Sequence, residues 1–195
     1  VVLGSKWPTI TLLAKFGVPD IFGSDIDYSY FSASVQQKFA VRSLGTSVYT
    51  LFAGKFFNQT ALTLQDEAIY PRSDWVFFQD PLSGFQLRDT ALMPRDWHLE
   101  AHYVHHFNGA LINNVPLIKK TGITLAAGGA ALYMPEFNYW YADVFAGVER
   151  SFRIRRQRFR FGVWGVIGRS SYGKAIPAIK WSIDMYSQRE KGWNF

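Results

Sequence analysis

Long stretches of this sequence alternate apolar and polar residues one by one. In "AIKWSIDMY", Ile179, Trp181 and Ile183 fall on one side, and Lys180 and Asp184 fall on the other. The same alternation runs through "TITLLAKF", "YFSASVQQKFAV", "YWYADVFAGVERSF" and "QRFRFGVWGVIG", and less cleanly through "SVYTLFAGKFF" and "GITLAAGGAALYM". Because successive side chains of a β-strand point to opposite faces, this period predicts two-faced strands. We predict an all-β, antiparallel fold of about eight strands.

The predicted strands are long, roughly 10–15 residues against a usual ~5–6. A strand that crosses a bilayer needs about 9–11 tilted residues. In a membrane barrel the charged face lines the lumen and the apolar face meets lipid, whereas a soluble sandwich or barrel exposes its charges to solvent. Aromatic residues cluster at strand ends, such as Trp7, Trp97 and Trp140, as in interfacial girdles. We therefore favour a transmembrane β-barrel over a soluble one.

The composition excludes several kinds of site and of membrane span. The 195 residues have no cysteine, which excludes disulfides, zinc–thiolate sites and cysteine nucleophiles. No stretch is apolar and long enough to predict a transmembrane helix. The chain starts "VVLGSKWP", with neither a methionine nor a signal peptide. We treat residues 1–195 as a single barrel segment and expect it to be a processed chain or the later part of a longer one.

All four histidines lie in "HLEAHYVHHFNG", residues 98–109. A helix would stack His98, His102 and His106 as a zinc face, but it would scatter the neighbouring apolar residues. A strand places these three histidines and Glu100 on the polar face, with His98 and His102 two pleats apart and poorly placed to share a metal. We therefore predict hydrogen bonding along a lumen wall and no metal site.

The same argument extends to the other strands. The predicted lumen-wall residues are His98, Glu100, His102, His106, Asp143, Glu149, Arg158, Arg160, Lys180 and Asp184. Ser32, Ser34 and Asp143 could serve a hydrolase, but the chain has no Gly-x-Ser-x-Gly elbow. We predict no catalytic residue, no cofactor and no enzymatic activity.

The stretch "HHFNGALINNVPLIKK" resembles the hallmark of a Bacteroidota outer-membrane family of unknown function. The matching residues are His105, His106, Phe107, Asn108, Gly109, Asn113, Pro116 and Leu117, with Lys119 and Lys120 following. "YTLFAGKFF" resembles a strand of the same family, with its Gly-Lys pair at Gly54 and Lys55. The resemblance implies a carboxypeptidase-regulatory-like N-terminal domain, a large C-terminal barrel distantly similar to Omp85-type surface antigens, and location in the outer membrane of a Gram-negative bacterium. It supplies no catalytic residue and no substrate.

The predicted connections divide into two sets. Those near Arg42, at 113–120 and at 152–157 are expected in the periplasm, where they collect mostly basic residues. Those at 19–25, 58–95, 135–138 and 169–174 are expected outside, and the longest, 58–95, is expected as an external loop. Outer-membrane lipid and lipopolysaccharide are the expected partners, together with other outer-membrane or periplasmic subunits.

A net charge of +6 and the run "RSFRIRRQRFRF" raise the alternative of nucleic-acid binding. Because Phe159 and Phe161 alternate strictly with Arg158 and Arg160, we interpret the run as a basic turn that continues into a strand, and predict no nucleic-acid partner.

The predicted function is an integral outer-membrane component of transport, assembly or scaffold machinery. The alternatives are a soluble lipocalin-like ligand-binding barrel and a barrel-embedded hydrolase. Bulky lumen charges further predict the C-terminal part of a barrel with more than eight strands.

Overall fold

The chain forms one antiparallel sheet in which the strands follow their order in the sequence. The structure, a computed structural model, describes residues 7–19, 25–61, 68–88, 91–110, 112, 121–155, 157–187 and 192–193. The strands are β1 (Thr9–Gly17), β2 (Asp27–Val41), β3 (Gly45–Ala61), β4 (Trp97–His106), β5 (Ile123–Met134), β6 (Tyr139–Ile154), β7 (Gln157–Ser170), β8 (Ile176–Ser187) and the two-residue β9 (Gly192–Trp193). The all-β, antiparallel prediction of about eight long strands is confirmed.

Because each strand runs antiparallel to the next, the connections alternate between two ends of the sheet. The turn end carries the β2–β3, β4–β5 and β6–β7 connections, and the loop end carries the other long-strand connections. One-turn 3-10 helices occur at each end, Arg42–Leu44 and Pro135–Phe137. At the turn end, Arg42 and Arg155 have positive φ values of 41° and 53°, as tight reversals of the chain require.

The sheet is open, since β1 and β8 do not pair with each other. The edge of β8 is partly covered from within the chain. The Trp181 N–H donates to the Val76 carbonyl oxygen at 2.9 Å, and the Phe78 N–H donates to the Trp181 carbonyl oxygen at 2.7 Å. A closed ring of eight strands is therefore not the arrangement of this chain.

The two faces of the sheet have opposite character. The inner face is defined here as the one on which residues 68–88 pack, and the outer face is the other. On β8, Ile179 and Ile183 lie on the outer face with 70% and 63% of their surface exposed, whereas Lys180 lies on the inner face and is fully buried. Residues with charged or imidazole side chains are thus buried while large aliphatic residues are exposed, the reverse of an ordinary soluble sheet.

Residues 68–88, hereafter the inner segment, fold back against the inner face. Phe78 stacks on Trp164 with ring centroids 4.1 Å apart, and Phe85 packs edge-on against Tyr141. The structure places the first residues of the predicted 58–95 loop in β3, which continues to Ala61. The inner segment packs onto the sheet through the buried side chains of Tyr70, Phe78 and Phe85, whereas Trp75 and Phe77 are exposed. That this connection lies outside the cell stays a prediction. Within the described ranges, no helix has the length and apolar character needed to span a membrane.

Candidate functional site

Lys180 fastens β8 to the inner segment. Its ammonium group is fully buried and donates to the Ser73 hydroxyl and to the carbonyl oxygens of Asp74 and Gln86. An ammonium has three N–H donors, so these three acceptors satisfy it completely. Burial of a charge is costly unless such partners replace water. Lys180 therefore stabilises the inner segment in contact with β8.

Asp143, on β6, holds the same segment from another strand. Its Oδ2 accepts hydrogen bonds from the Gln86 N–H at 2.8 Å and from the Tyr141 hydroxyl at 3.1 Å. The Tyr141 oxygen in turn accepts the Leu87 N–H at 3.0 Å. Gly168 makes room for this contact, because a Cβ there would lie 2.8 Å from the Tyr141 oxygen and 2.9 Å from the Leu87 Cβ.

His102, on β4, provides a third attachment point. Its Nδ1 lies 2.9 Å from the Pro81 carbonyl oxygen, and its Nε2 lies 3.4 Å from Glu100 Oε2. The ring also packs against Phe85 at a centroid distance of 5.0 Å. Three predicted lumen-wall residues, Lys180, Asp143 and His102, therefore act on the inner segment.

Four other predicted residues form an ion network nearer the turn end. The Arg160 guanidinium lies 3.4 Å from Glu149 and 3.2 Å from Asp184, and His106 Nδ1 lies 3.5 Å from Glu149. The network joins β4, β6, β7 and β8 across the inner face. Charged partners of this kind satisfy one another where water is excluded.

The remaining lumen-wall residues are placed differently. His98 is buried between the stacked rings of Tyr30 and Phe52, with Nε2 3.4 Å from the Tyr30 hydroxyl. Gly54 permits this packing, since a Cβ there would lie 2.5 Å from the His98 ring. Arg158 shares the face of Arg160 but is exposed at the turn end.

The described part of the family motif builds the chain reversal after β4. His105 Nδ1 lies 2.8 Å from the Ser47 hydroxyl, and its Nε2 lies 3.1 Å from the Leu44 carbonyl oxygen, which joins β4 to the β2–β3 connection. Asn108 and Gly109 take positive φ values of 46° and 84°, and the Asn108 amide donates to the Thr46 hydroxyl at 3.0 Å.

Phe107, another residue of the motif, also contributes to this chain reversal. The Phe107 N–H donates to the Leu125 carbonyl oxygen at 2.9 Å, which ties the reversal to β5. The motif residues Asn113, Pro116 and Leu117 lie outside the described residues. In its described part, the motif thus consists of residues that hold a turn.

Among the described residues, one cavity lies on the outer face of the sheet and another beside the inner segment. The larger, about 730 Å³, is an apolar groove on the outer face around Gly165, lined by residues such as Val144, Ile167 and Ile179. The smaller, about 240 Å³, lies beside the inner segment at the loop end and is lined by Ile69, Tyr70, Arg72, Arg88, Ala91, Leu92 and Met93. The smaller one has charged walls and is the better candidate for recognising a polar ligand.

Arg88 and Tyr70 are functional candidates that sequence reasoning missed. Both are buried, and the Arg88 guanidinium lies 5.0 Å from the centre of the Tyr70 ring. Burial lowers the pKa of Arg88 and raises the pKa of Tyr70 well above its ordinary value. The only sequence signal was the spacing of aromatic residues in the inner segment, which predicts burial but not a partner.

The described ranges contain no group of three or more His, Cys, Asp or Glu residues placed to hold a metal ion. The absence of a metal stays a prediction, as does the absence of catalysis. Ser47 and His105 are a close serine–histidine pair, but Ser47 is buried and the other ring nitrogen contacts a carbonyl oxygen. We assign that pair to the turn.

The fold and the site together define an open, two-faced β-sheet whose inner face is occupied by a segment of its own chain. The chain belongs to the family described as "Family of unknown function (DUF5686) C-terminal domain", which matches residues 1–148. No curated protein and no solved structure matches it.

Proposed function

We propose that this chain is part of an integral outer-membrane β-barrel that serves as a non-enzymatic component of transport, assembly or scaffold machinery. The observation that carries the proposal is the reversal of the two faces. Ile10, Leu99 and Ile179 are exposed on the outer face, whereas Lys180 and Glu149 are buried on the inner face. Contact of such an apolar outer face with lipid is favourable, whereas its contact with water is unfavourable.

The open edges support a larger barrel. In lipid, each unpaired backbone group costs several kcal/mol, so a free strand edge is not tolerated there. The edge of β1 away from β2 therefore needs another strand, which we propose comes from the same longer polypeptide. On this proposal the chain is the C-terminal part of a barrel with more than eight strands.

The wider setting follows from the family resemblance. We propose that the parent chain is a Bacteroidota protein with a carboxypeptidase-regulatory-like N-terminal domain, and that its barrel is distantly related to Omp85-type proteins. Outer-membrane lipid, lipopolysaccharide and other envelope subunits are the proposed partners. The basic residues of the turn end, such as Arg150 and Arg153, are proposed to face the periplasm.

The position of the inner segment bears on how the proposed barrel would act. It is held by Lys180, Asp143 and His102 and fills space that a pore would need. This favours gated passage, assembly or a scaffold over an open diffusion channel.

A soluble, lipocalin-like binding barrel is the second candidate. The apolar cluster of Phe145, Trp164 and Val166 on the inner face favours it, because lipocalins hold ligands against apolar interiors. The exposed aliphatic outer face disfavours it, since a soluble barrel carries polar residues there.

Refolding of the full-length protein separates the two candidates. The denatured protein is diluted into phospholipid vesicles, into detergent, or into buffer that contains neither. We expect strand circular dichroism and heat-dependent gel mobility only with vesicles or detergent. A monodisperse folded protein in plain buffer would contradict the membrane proposal and support the soluble barrel.

A further inference from the structure

An apolar groove lies on the outer face of β6, β7 and β8, and it is called the outer groove below. Its volume is about 730 Å³, and the residues that line it include Val144, Ile167 and Ile179. Gly165 also lines it, and a Cβ built there would meet, of the described atoms beyond its chain neighbours, only the Ala146 carbonyl oxygen at 3.8 Å. The missing side chain therefore leaves open space between exposed aliphatic side chains.

Aromatic residues of the outer face mark the loop end of these strands. Trp97 packs against Tyr133 with ring centroids 5.7 Å apart, and Tyr133 is the register partner of Trp140. Rows of this kind lie at the interfaces of membrane barrels. From Trp140 to Ala146, which is level with Gly165, the strand runs for roughly 20 Å, and at a tilt of ~45° it descends roughly 14 Å, about half of a ~30 Å hydrocarbon core. In the proposed membrane setting, the outer groove thus lies within the leaflet at the loop end.

Arg169 lies at the interface end of the outer groove. It follows Ile167 by two residues on the outer face of β7, it is exposed, and its guanidinium lies 6.0 Å from the centre of the Trp140 ring. The carboxylates of β5, β6, β7 and β8 all lie on the inner face, at Asp143, Glu149 and Asp184. The outer face of these strands therefore presents a cation at the level of lipid headgroups and carries no acidic residue.

We propose that the outer groove holds an acyl chain of one lipopolysaccharide molecule and that Arg169 binds a phosphate group of its lipid A. The inference rests on the membrane location proposed above and adds a specific lipid to it. The aliphatic side chains contact the acyl chain, and the guanidinium donates charge-assisted hydrogen bonds to the phosphate, which are stronger than those between neutral groups. Lipopolysaccharide is favoured over an anionic phospholipid because the loop end is proposed to face outside, where lipopolysaccharide forms the leaflet.

Titration of the full-length protein in detergent micelles tests the site, with native mass spectrometry as the measure of bound lipid. The probes are purified lipid A, the same lipid A after enzymatic removal of its phosphates, and phosphatidylglycerol. We expect one lipid A molecule to bind at least about tenfold more tightly than either of the other two lipids. An affinity for either of those lipids that equals the affinity for lipid A, or no saturable binding of lipid A, would overturn the proposal.

A charge variant locates the phosphate. Arg169→Gln should weaken the binding of lipid A at least about tenfold and leave the affinity for the dephosphorylated lipid unchanged, because it removes only the charge-assisted contact. Arg150→Gln is the matched control, since Arg150 is an exposed arginine of the outer face near the opposite end of β6. Unchanged affinity in Arg169→Gln, or an equal loss in Arg150→Gln, would contradict the assignment.

A filled groove locates the acyl chain. Gly165→Leu should weaken the binding of lipid A and of its dephosphorylated form alike, at least about threefold, because leucine takes the space in which the chain packs. Ala53→Leu is the control, since Ala53 is exposed on the outer face of β3, away from the groove. If Gly165→Leu does not fold, Arg169→Gln carries the test. Equal affinities of the two leucine variants for lipid A would show that the chain does not lie in the groove.

The site and the membrane location fail in different ways. Strand circular dichroism and heat-dependent gel mobility show first whether the protein folds in the micelles. A protein that folds there but binds lipid A no better than the dephosphorylated lipid contradicts the site alone. A monodisperse folded protein in plain buffer contradicts the membrane location, and the lipid site with it.

Discussion

At the scale of single residues, buried charges on the inner face have nearly complete sets of partners. Lys180 has three acceptors, Asp143 has three donors, and Arg160 contacts both Glu149 and Asp184. Loss of Asp184 would leave Arg160 with Glu149 as its remaining carboxylate partner among those described, and a hydrogen-bonding group that is buried without its partner costs about 1–3 kcal/mol, or more when it is charged. Asp184 is therefore a stabilising residue, and its removal is not expected to be mild.

The outer face gives the first prediction. Ile179→Arg should reduce the free energy of unfolding in vesicles by about 2–4 kcal/mol, because Ile179 lies on the proposed lipid face, level through Gly165 with Ala146 near the middle of β6. Ile183→Arg should cost less, since Ile183 pairs with Phe161 close to the turn end. Denaturant titration measures both. An Ile179→Arg variant as stable as the loop control Ala175→Arg would contradict the assigned face.

At the scale of elements, the strands could be predicted and the inner segment could not. Alternation fixed the faces of β4, β6, β7 and β8, because it reports the local geometry of a strand. It could not place the inner segment, whose Gln86 N–H binds Asp143 from 57 residues away. Such a contact depends on the assembled sheet, and for the same reason the cavity at Arg88 left no pattern in the sequence.

The second prediction concerns the hold on the inner segment. Lys180→Met keeps much of the side-chain volume but removes the donors to Ser73, Asp74 and Gln86. Amide hydrogen exchange in residues 73–88 should then become at least about tenfold faster, while exchange in β6 and β7 stays slow. Lys174→Met, an exposed lysine at the loop end, is the control. Unchanged exchange in Lys180→Met would show that the segment is held by its apolar contacts alone.

At the scale of the whole molecule, the open sheet gives the third prediction. The chain has no cysteine, so introduced pairs report proximity without interference. In the full-length protein, Leu12→Cys with Ala33→Cys should form a disulfide, because these residues are register partners in β1 and β2. Leu12→Cys with Ile179→Cys should not, since β1 and β8 are not neighbours. Efficient cross-linking of the second pair would mean that the barrel closes with eight strands.

The central claim is that the outer face meets lipid and the inner face does not. Trp181 and Trp164 test it most directly, because Trp181 is partly exposed on the outer face of β8 and Trp164 is fully buried on the inner face of β7. Fluorescence quenching is measured for the full-length protein in vesicles of brominated phosphatidylcholine. Trp181→Phe should reduce the fraction of fluorescence that the lipid quenches, and Trp164→Phe should not. The same loss from both variants, or from Trp164→Phe alone, would contradict the account.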